Sequence, residues 1–116
     1  MLNYSLTDPS KLVFFSVGII EDIPDGTRLF TRIGESPIVV FNIGGVFYAI
    51  ADICSHDDSS LGDGDLEEFN IICPRHGARF DIKTGKALSL PAVVDIPVYP
   101  VRIQNGEVQV GLPAGI

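Results

Sequence analysis

The 116-residue sequence predicts an all-β fold: an antiparallel sandwich or barrel-like base into which a two-loop subdomain, at about residues 52–84, is inserted. Three observations lead there. Val, Ile, Phe and Tyr fall in short runs separated by turn residues, which is the composition of strands rather than helices. Gly44-Gly45 and Asn105-Gly106 each stand between two apolar runs, and Gly and Asn tolerate the positive φ that a tight hairpin turn demands. No segment sustains an apolar period of 3.6, so no helix longer than two turns is expected.

Strands are predicted at residues 11–17, 27–33, 37–42, 46–51, 69–73, 79–82, 98–103 and 107–110. The longest apolar run, Leu12 to Ile20, is about half of what a membrane-crossing helix needs and is broken by Ser16 and Gly18. It reads as a buried strand, with Phe14 and Phe15 on opposite faces. No basic stretch precedes it and no small-residue cleavage site follows, so a signal peptide is not expected and the cytoplasm is the default location. Apolar residues make up 46% of the chain against 20% charged, enough for a well-buried core and too apolar for a disordered chain. The length allows one domain, 1–116. Few apolar anchors lie between Asp57 and Glu68, so the inserted piece is expected to depend on metal binding for its order, whereas the base folds without it.

That expectation of metal comes from the only two cysteines and two histidines of the chain, which spell Cys54-Ser-His56 and Cys73-Pro-Arg-His76, or C-x-H-x16-C-x2-H. Each pair offers one thiolate and one imidazole. A [2Fe-2S] core needs four protein ligands, and in a Rieske centre two histidines replace two cysteines on one iron, so each loop can send its Cys to one iron and its His to the other. Three other readings stand beside this one. A zinc site uses the same residue types, although structural zinc sites usually pair like with like. A Cys54–Cys73 disulfide would leave both histidines unexplained, and nothing else in the chain indicates an oxidising compartment. Chance is the third.

At these residues the chain resembles the Rieske-type [2Fe-2S] ferredoxins, in particular the ferredoxin components of aromatic-ring dioxygenase systems. The resemblance extends through Cys73-Pro-Arg-His76-Gly-Ala-Arg-Phe-Asp81, Thr84-Gly85-Lys86-Ala87, Tyr99-Pro-Val-Arg-Ile103 and Gly106-Glu-Val-Gln-Val110. Residues before about 45 carry no diagnostic motif. The resemblance implies the Rieske fold and one [2Fe-2S] cluster, with Cys54 and Cys73 on the inner iron and His56 and His76 on the outer, solvent-facing one. It further implies a one-electron carrier, not itself an enzyme, acting as a monomer between a flavin-dependent reductase and a terminal oxygenase. The alternative is an accessory or redox-sensing Rieske subunit of a larger reductase or regulatory complex. The Rieske-bearing oxygenases need a further mononuclear-iron domain, and the 36 residues from Asp81 to Ile116 do not suffice for one.

Departures from the family's high-potential members are informative. Where those carry a bracing disulfide, Ser59 and Arg75 stand here; where they place hydroxyl donors to cluster sulfur, Ala78 and Phe80 stand. Hydrogen bonds to sulfur favour the reduced state, so their absence predicts a potential low in the Rieske range of about −150 to +300 mV. Packing alone is an equally good reason for Ala78 and Phe80. Charge is uneven: seven of the fifteen acidic residues lie between Asp52 and Glu68, and Arg75, Arg79, Lys83 and Lys86 follow. A net charge of −7 disfavours nucleic acid and anionic membrane as partners and suits a protein with a basic docking face. The resemblance implies that the histidine-ligated iron lies at the tip of this chain and makes that tip the docking site, with Arg75 and Arg79 expected near it on one loop, Asp57 and Asp58 on the other, and Asp25 and Arg28 away from the loops. Tyr48 and Tyr99 read as strand or core aromatics, and Pro91 as a turn proline or part of a loop over the cluster.

Overall fold

A computed structural model describes residues 3–55, 59–75, 77–90 and 94–114. Among them the strands are, in chain order, β1 (Leu12–Ile19), β2 (Arg28–Ile33), β3 (Ser36–Ile43), β4 (Val46–Ala51), β5 (Leu66–Glu67), β6 (Asn70–Ile72), β7 (Arg79–Asp81), β8 (Val98–Tyr99), β9 (Val101–Gln104) and β10 (Glu107–Pro113). Three short 3-10 turns, at Tyr4–Leu6, Pro9–Lys11 and Ile20–Asp22, complete the regular structure. All pairing between named strands is antiparallel, in sheets of order β1-β10-β9, β2-β3-β4-β8 and β5-β6-β7.

The β2-β3-β4-β8 sheet is the middle layer, and its sequence shows why. Successive strand residues point to opposite faces. In β3, Val39 and Phe41 are buried on one side and Ile38 and Val40 on the other. β4 and β8 repeat the division, with Ile50 and Val98 on the first side, and Ala49, Ala51 and Tyr99 on the second. A strand covered on both faces reads as an unbroken apolar run, as Ile38 to Phe41 does. On the second side lie Val108, Val110 and Leu112 of β10, with Ile23. On the first side lie Leu61, Ile71, Phe80, Ile82 and both cysteines.

The two expected hairpins are present. Ile43 pairs with Val46 across Gly44-Gly45 (φ 64° and 89°), and Gln104 pairs with Glu107 across Asn105-Gly106 (φ 55° and 79°). A third hairpin, Ile33 to Ser36, turns on Gly34.

Three expectations about the strands change. The predicted strand 98–103 is two strands, because Pro100 has no N–H to donate to a ladder; the chain leaves β4 after Tyr99 and joins β10 at Val101. β1 is not a buried strand. It pairs with β10 alone, at the edge of its sheet, and leaves Val13 45% and Phe15 39% exposed on the face that Val110 and Leu112 share. β5, only two residues long, has no apolar run to reveal it.

Candidate metal centre

Cys54 is the third residue after β4, a strand of the middle layer, and Cys73 follows β6, a strand of the third sheet, directly, so each expected metal-binding loop leaves the end of a strand. His56, His76, Asp57, Asp58 and Pro91 lie outside the described residues. The two loops close in the same way: Cys54 N donates to Ser59 O and Cys73 N to Ala78 O, each at 2.7 Å and each across five residues. In the second loop Gly77 N also donates to Cys73 O at 3.0 Å, with Gly77 at φ 75°. Both thiols are buried, Cys54 at 0% and Cys73 at 1% exposure, in the same apolar cluster as Leu61, Ile71, Ala78 and Phe80. No disulfide joins them.

This arrangement fits a thiolate-bound metal. Two cysteines on separate loops, kept from water by aliphatic and aromatic neighbours, supply soft ligands to a dry site. They are half of the expected set of four, and among the described residues no group of three His, Cys, Asp or Glu stands ready to hold a metal.

Further contacts hold the surroundings. Arg79 donates to Glu67 Oε1 at 2.8 Å, bridging β7 and β5 with both side chains exposed. That pairing is worth at most about 1 kcal/mol, but it means that part of the positive charge expected at a docking face is already answered within the sheet. Arg79 N donates to Ser89 Oγ (3.1 Å), and Ala87 N to Asp95 Oδ1 (2.9 Å). Ser55, in the first loop, donates through its hydroxyl to Val94 O. Val94 is thus tied to the first loop, and Ser89 to the start of β7, directly after the second. The chain's return from β7 explains Thr84-Gly85-Lys86-Ala87: Gly85, at φ 80°, donates to Asp81 O at 2.7 Å, and a Cβ on it would stand 2.0 Å from Ile96 O. No side chain fits there.

Ala78 and Phe80 are fully buried, which gives packing a share in their presence. Leu61, one of the few apolar residues between Asp57 and Glu68, is fully buried in the same cluster as the cysteines. One other expectation is corrected. Arg28, expected to be remote, reaches across to Gly62 O and Gly64 O. Neither Arg28 nor Asp52, which accepts from Leu61 N and Gly62 N, had a signal in the sequence. Arg28 lies 34 residues from Gly62, and no local pattern connects residues that far apart.

Comparison with known proteins agrees with this geometry. Residues 13–100 match the model of the Rieske [2Fe-2S] domain. The 3-phenylpropionate/cinnamic acid dioxygenase ferredoxin subunit of Escherichia coli (strain K12) is 46% identical over 96 residues, covering 81% of this chain and 89% of that protein. Among solved structures, the complex of reduced oxygenase and oxidized ferredoxin in carbazole 1,9a-dioxygenase contains a chain that superposes with a TM-score of 0.77 at 36% identity, over 84% of this chain and 92% of its own. The Sphingomonas yanoikuyae B1 ferredoxin gives a TM-score of 0.78 at 29% identity, over 87% of this chain and 100% of its own. The chain belongs to the Rieske [2Fe-2S] domain family, and a single Rieske-type cluster is the cofactor that membership implies. A zinc site or a disulfide at Cys54 and Cys73 is thereby displaced.

Proposed function

We propose that this chain is a Rieske-type ferredoxin that carries single electrons from a flavin-dependent reductase to a terminal oxygenase, with its cluster held by Cys54, His56, Cys73 and His76. The observation that carries the reading is the pair of identically closed loops presenting two buried thiols, in a chain 46% identical to a dioxygenase ferredoxin subunit. When bound, the cluster supplies reversible exchange of one electron. The chain's own contribution is structural and electrostatic. Backbone bonds at Cys54 and Cys73 preset the loops, and the apolar cluster beneath them excludes water from the sulfur side. Ala78 and Phe80 offer no hydroxyl to sulfur, which keeps the potential low and suits donation to an oxygenase.

Residues 52–84 are proposed as the cluster-binding unit, carried on the β1–β4 and β8–β10 base. The cytoplasm is the proposed location; among the described residues no helix is long and apolar enough to cross a membrane. A monomer is the proposed functional form, docking by the face around the two loops. The test is reconstitution: purified protein, a flavin-dependent reductase with NADH, and an aromatic-ring oxygenase. Oxygenase turnover that requires this chain and saturates with its concentration supports the carrier. Reduction of the chain without any turnover across a panel of such oxygenases favours an accessory or redox-sensing subunit.

A further inference from the structure

The turn Leu61-Gly62-Asp63-Gly64 is gripped from two directions by opposite charges. Gly64 N donates to Leu61 O at 3.0 Å and closes the turn. Asp52 Oδ1 accepts from Leu61 N at 2.9 Å, from Gly62 N at 2.6 Å and from Ser60 Oγ at 3.0 Å. From β2, Arg28 Nη1 donates to Gly62 O at 2.6 Å and to Gly64 O at 2.8 Å, and the guanidinium carbon lies 5.0 Å from the centre of the Phe41 ring. The donors of the turn face a carboxylate and its acceptors face a guanidinium. Such charge-assisted bonds are shorter and stronger than neutral ones.

The same turn touches both cysteine-bearing segments. Asp52 stands two residues before Cys54. Gly64 lies flat against β6, so close that an added Cβ would be 1.8 Å from the carbonyl oxygen of Ile72, the residue before Cys73. The turn is therefore a spacer between the two loops, and Arg28 fixes it to a strand of the middle layer whose partner, Phe41, is buried beside the cysteines.

We propose that Arg28 and Asp52 are positioning residues for the cluster: by clamping the Leu61–Gly64 turn they set the separation of the Cys54 and Cys73 loops. The proposal rests on the Rieske reading of those cysteines. Residues behind metal ligands that fix their orientation alter affinity and electronic properties, and not stability alone.

The test uses the holo-protein and the variants Arg28→Met, Arg28→Lys and Asp52→Asn. Arg102→Met serves as control, since Arg102 lies over Phe14 at 4.0 Å and bonds Gln109 at 2.7 Å on the opposite sheet. Two quantities are read: the EPR g-values of the dithionite-reduced protein and the rate of iron release to a chelator. Arg28→Met and Asp52→Asn are expected to shift the g-values and to release iron about tenfold faster. Arg28→Lys, whose ammonium can keep one of the two carbonyls, falls between them and wild type, and Arg102→Met matches wild type. Wild-type spectra and release rates in Arg28→Met and Asp52→Asn overturn the proposal, as does an equal change in Arg102→Met. If Arg28→Met is not recovered folded, Arg28→Lys decides, and its identity with wild type overturns the proposal. A wild-type protein with no [2Fe-2S] signal on reduction sinks the Rieske reading itself, whereas a normal signal indifferent to the clamp sinks this inference alone.

Discussion

The two faces of the middle sheet are held by different means. On the side of β1, β10 and β9, long ladders and plain hydrocarbon dominate: strands of eight and seven residues pair antiparallel, with one register shift between Ser16 and Gly18, and bury Val108, Val110 and Leu112 against Ile38, Val40 and Ala49. On the side of the cysteines the third sheet has strands of two, three and three residues. What holds it is specific: the Arg28 and Asp52 clamp, two glycines against carbonyl oxygens, and Cys54 and Cys73 themselves inside the apolar cluster. Regular pairing tolerates substitution because many equivalent contacts share the load. A unit built of single contacts does not, and it is also the unit whose geometry a metal centre needs fixed.

The largest contrast is expected from the cysteines. Cys54→Ser or Cys73→Ser removes a thiolate for which a hydroxyl is a poor substitute on iron. Both irons are lost and residues 52–84 loosen, while the β1, β9 and β10 ladder keeps its protection. Iron and acid-labile sulfide per chain, together with hydrogen exchange resolved by peptide, measure the two halves of this statement. Full retention of both irons would remove these residues from the ligand set.

Next come two glycines present for unrelated reasons. At Gly64 the obstacle is space, since a Cβ would meet Ile72 O at 1.8 Å, and backbone cannot give way as a flexible side chain can. Gly64→Ala is expected to cost about 3 kcal/mol. At Gly106, in the β9–β10 hairpin, nothing lies within 4 Å, and only the positive φ of 79° resists a side chain. Gly106→Ala is expected to cost about 1 kcal/mol. Denaturant unfolding of the two variants checks the order, and equal losses would erase the distinction between the faces.

A smaller effect separates packing from redox tuning on the cysteine side. Ala78→Ser and Phe80→Tyr place a hydroxyl at fully buried positions in the cysteine cluster. If it reaches sulfur, the potential rises by tens of millivolts, about 60 mV being a tenfold change in a one-electron equilibrium. Voltammetry on the intact variants reads it, and an unmoved potential in both leaves packing as the sole reason for Ala78 and Phe80.

The smallest effect belongs to the hydrocarbon side and shows only in alkali. Burial, with a lesser contribution from Tyr4 stacked on it at 5.5 Å, pushes the Tyr99 phenol up to about 12. The unfolded chain ionises this group near its ordinary value of about 10. The neutral phenol's contribution is therefore complete below about pH 10 and is lost as pH rises from there toward about 12. Tyr99→Phe is expected to show less loss of stability across that window than wild type. Denaturant midpoints at about pH 9 and about pH 11 compare the two, and parallel falls would assign the alkaline loss to other groups.

Much of this molecule is legible in its amino-acid sequence. Strand positions follow from local apolar runs, two hairpins from Gly44-Gly45 and Asn105-Gly106, and the nature of the centre from C-x-H-x16-C-x2-H, because chain spacing and residue chemistry are local properties. Tertiary structure decided what depends on distant partners. Phe15 is as apolar as Phe41, yet one stands at a sheet edge and the other is fully buried beneath the third sheet, and only neighbour order distinguishes them. The run Val98 to Ile103 becomes two strands because Pro100 falls where the chain must change sheets. Arg28 is an ordinary strand arginine in the sequence; folding brings the carbonyls of Gly62 and Gly64 to it, and in doing so joins the base to the loops that carry the chemistry.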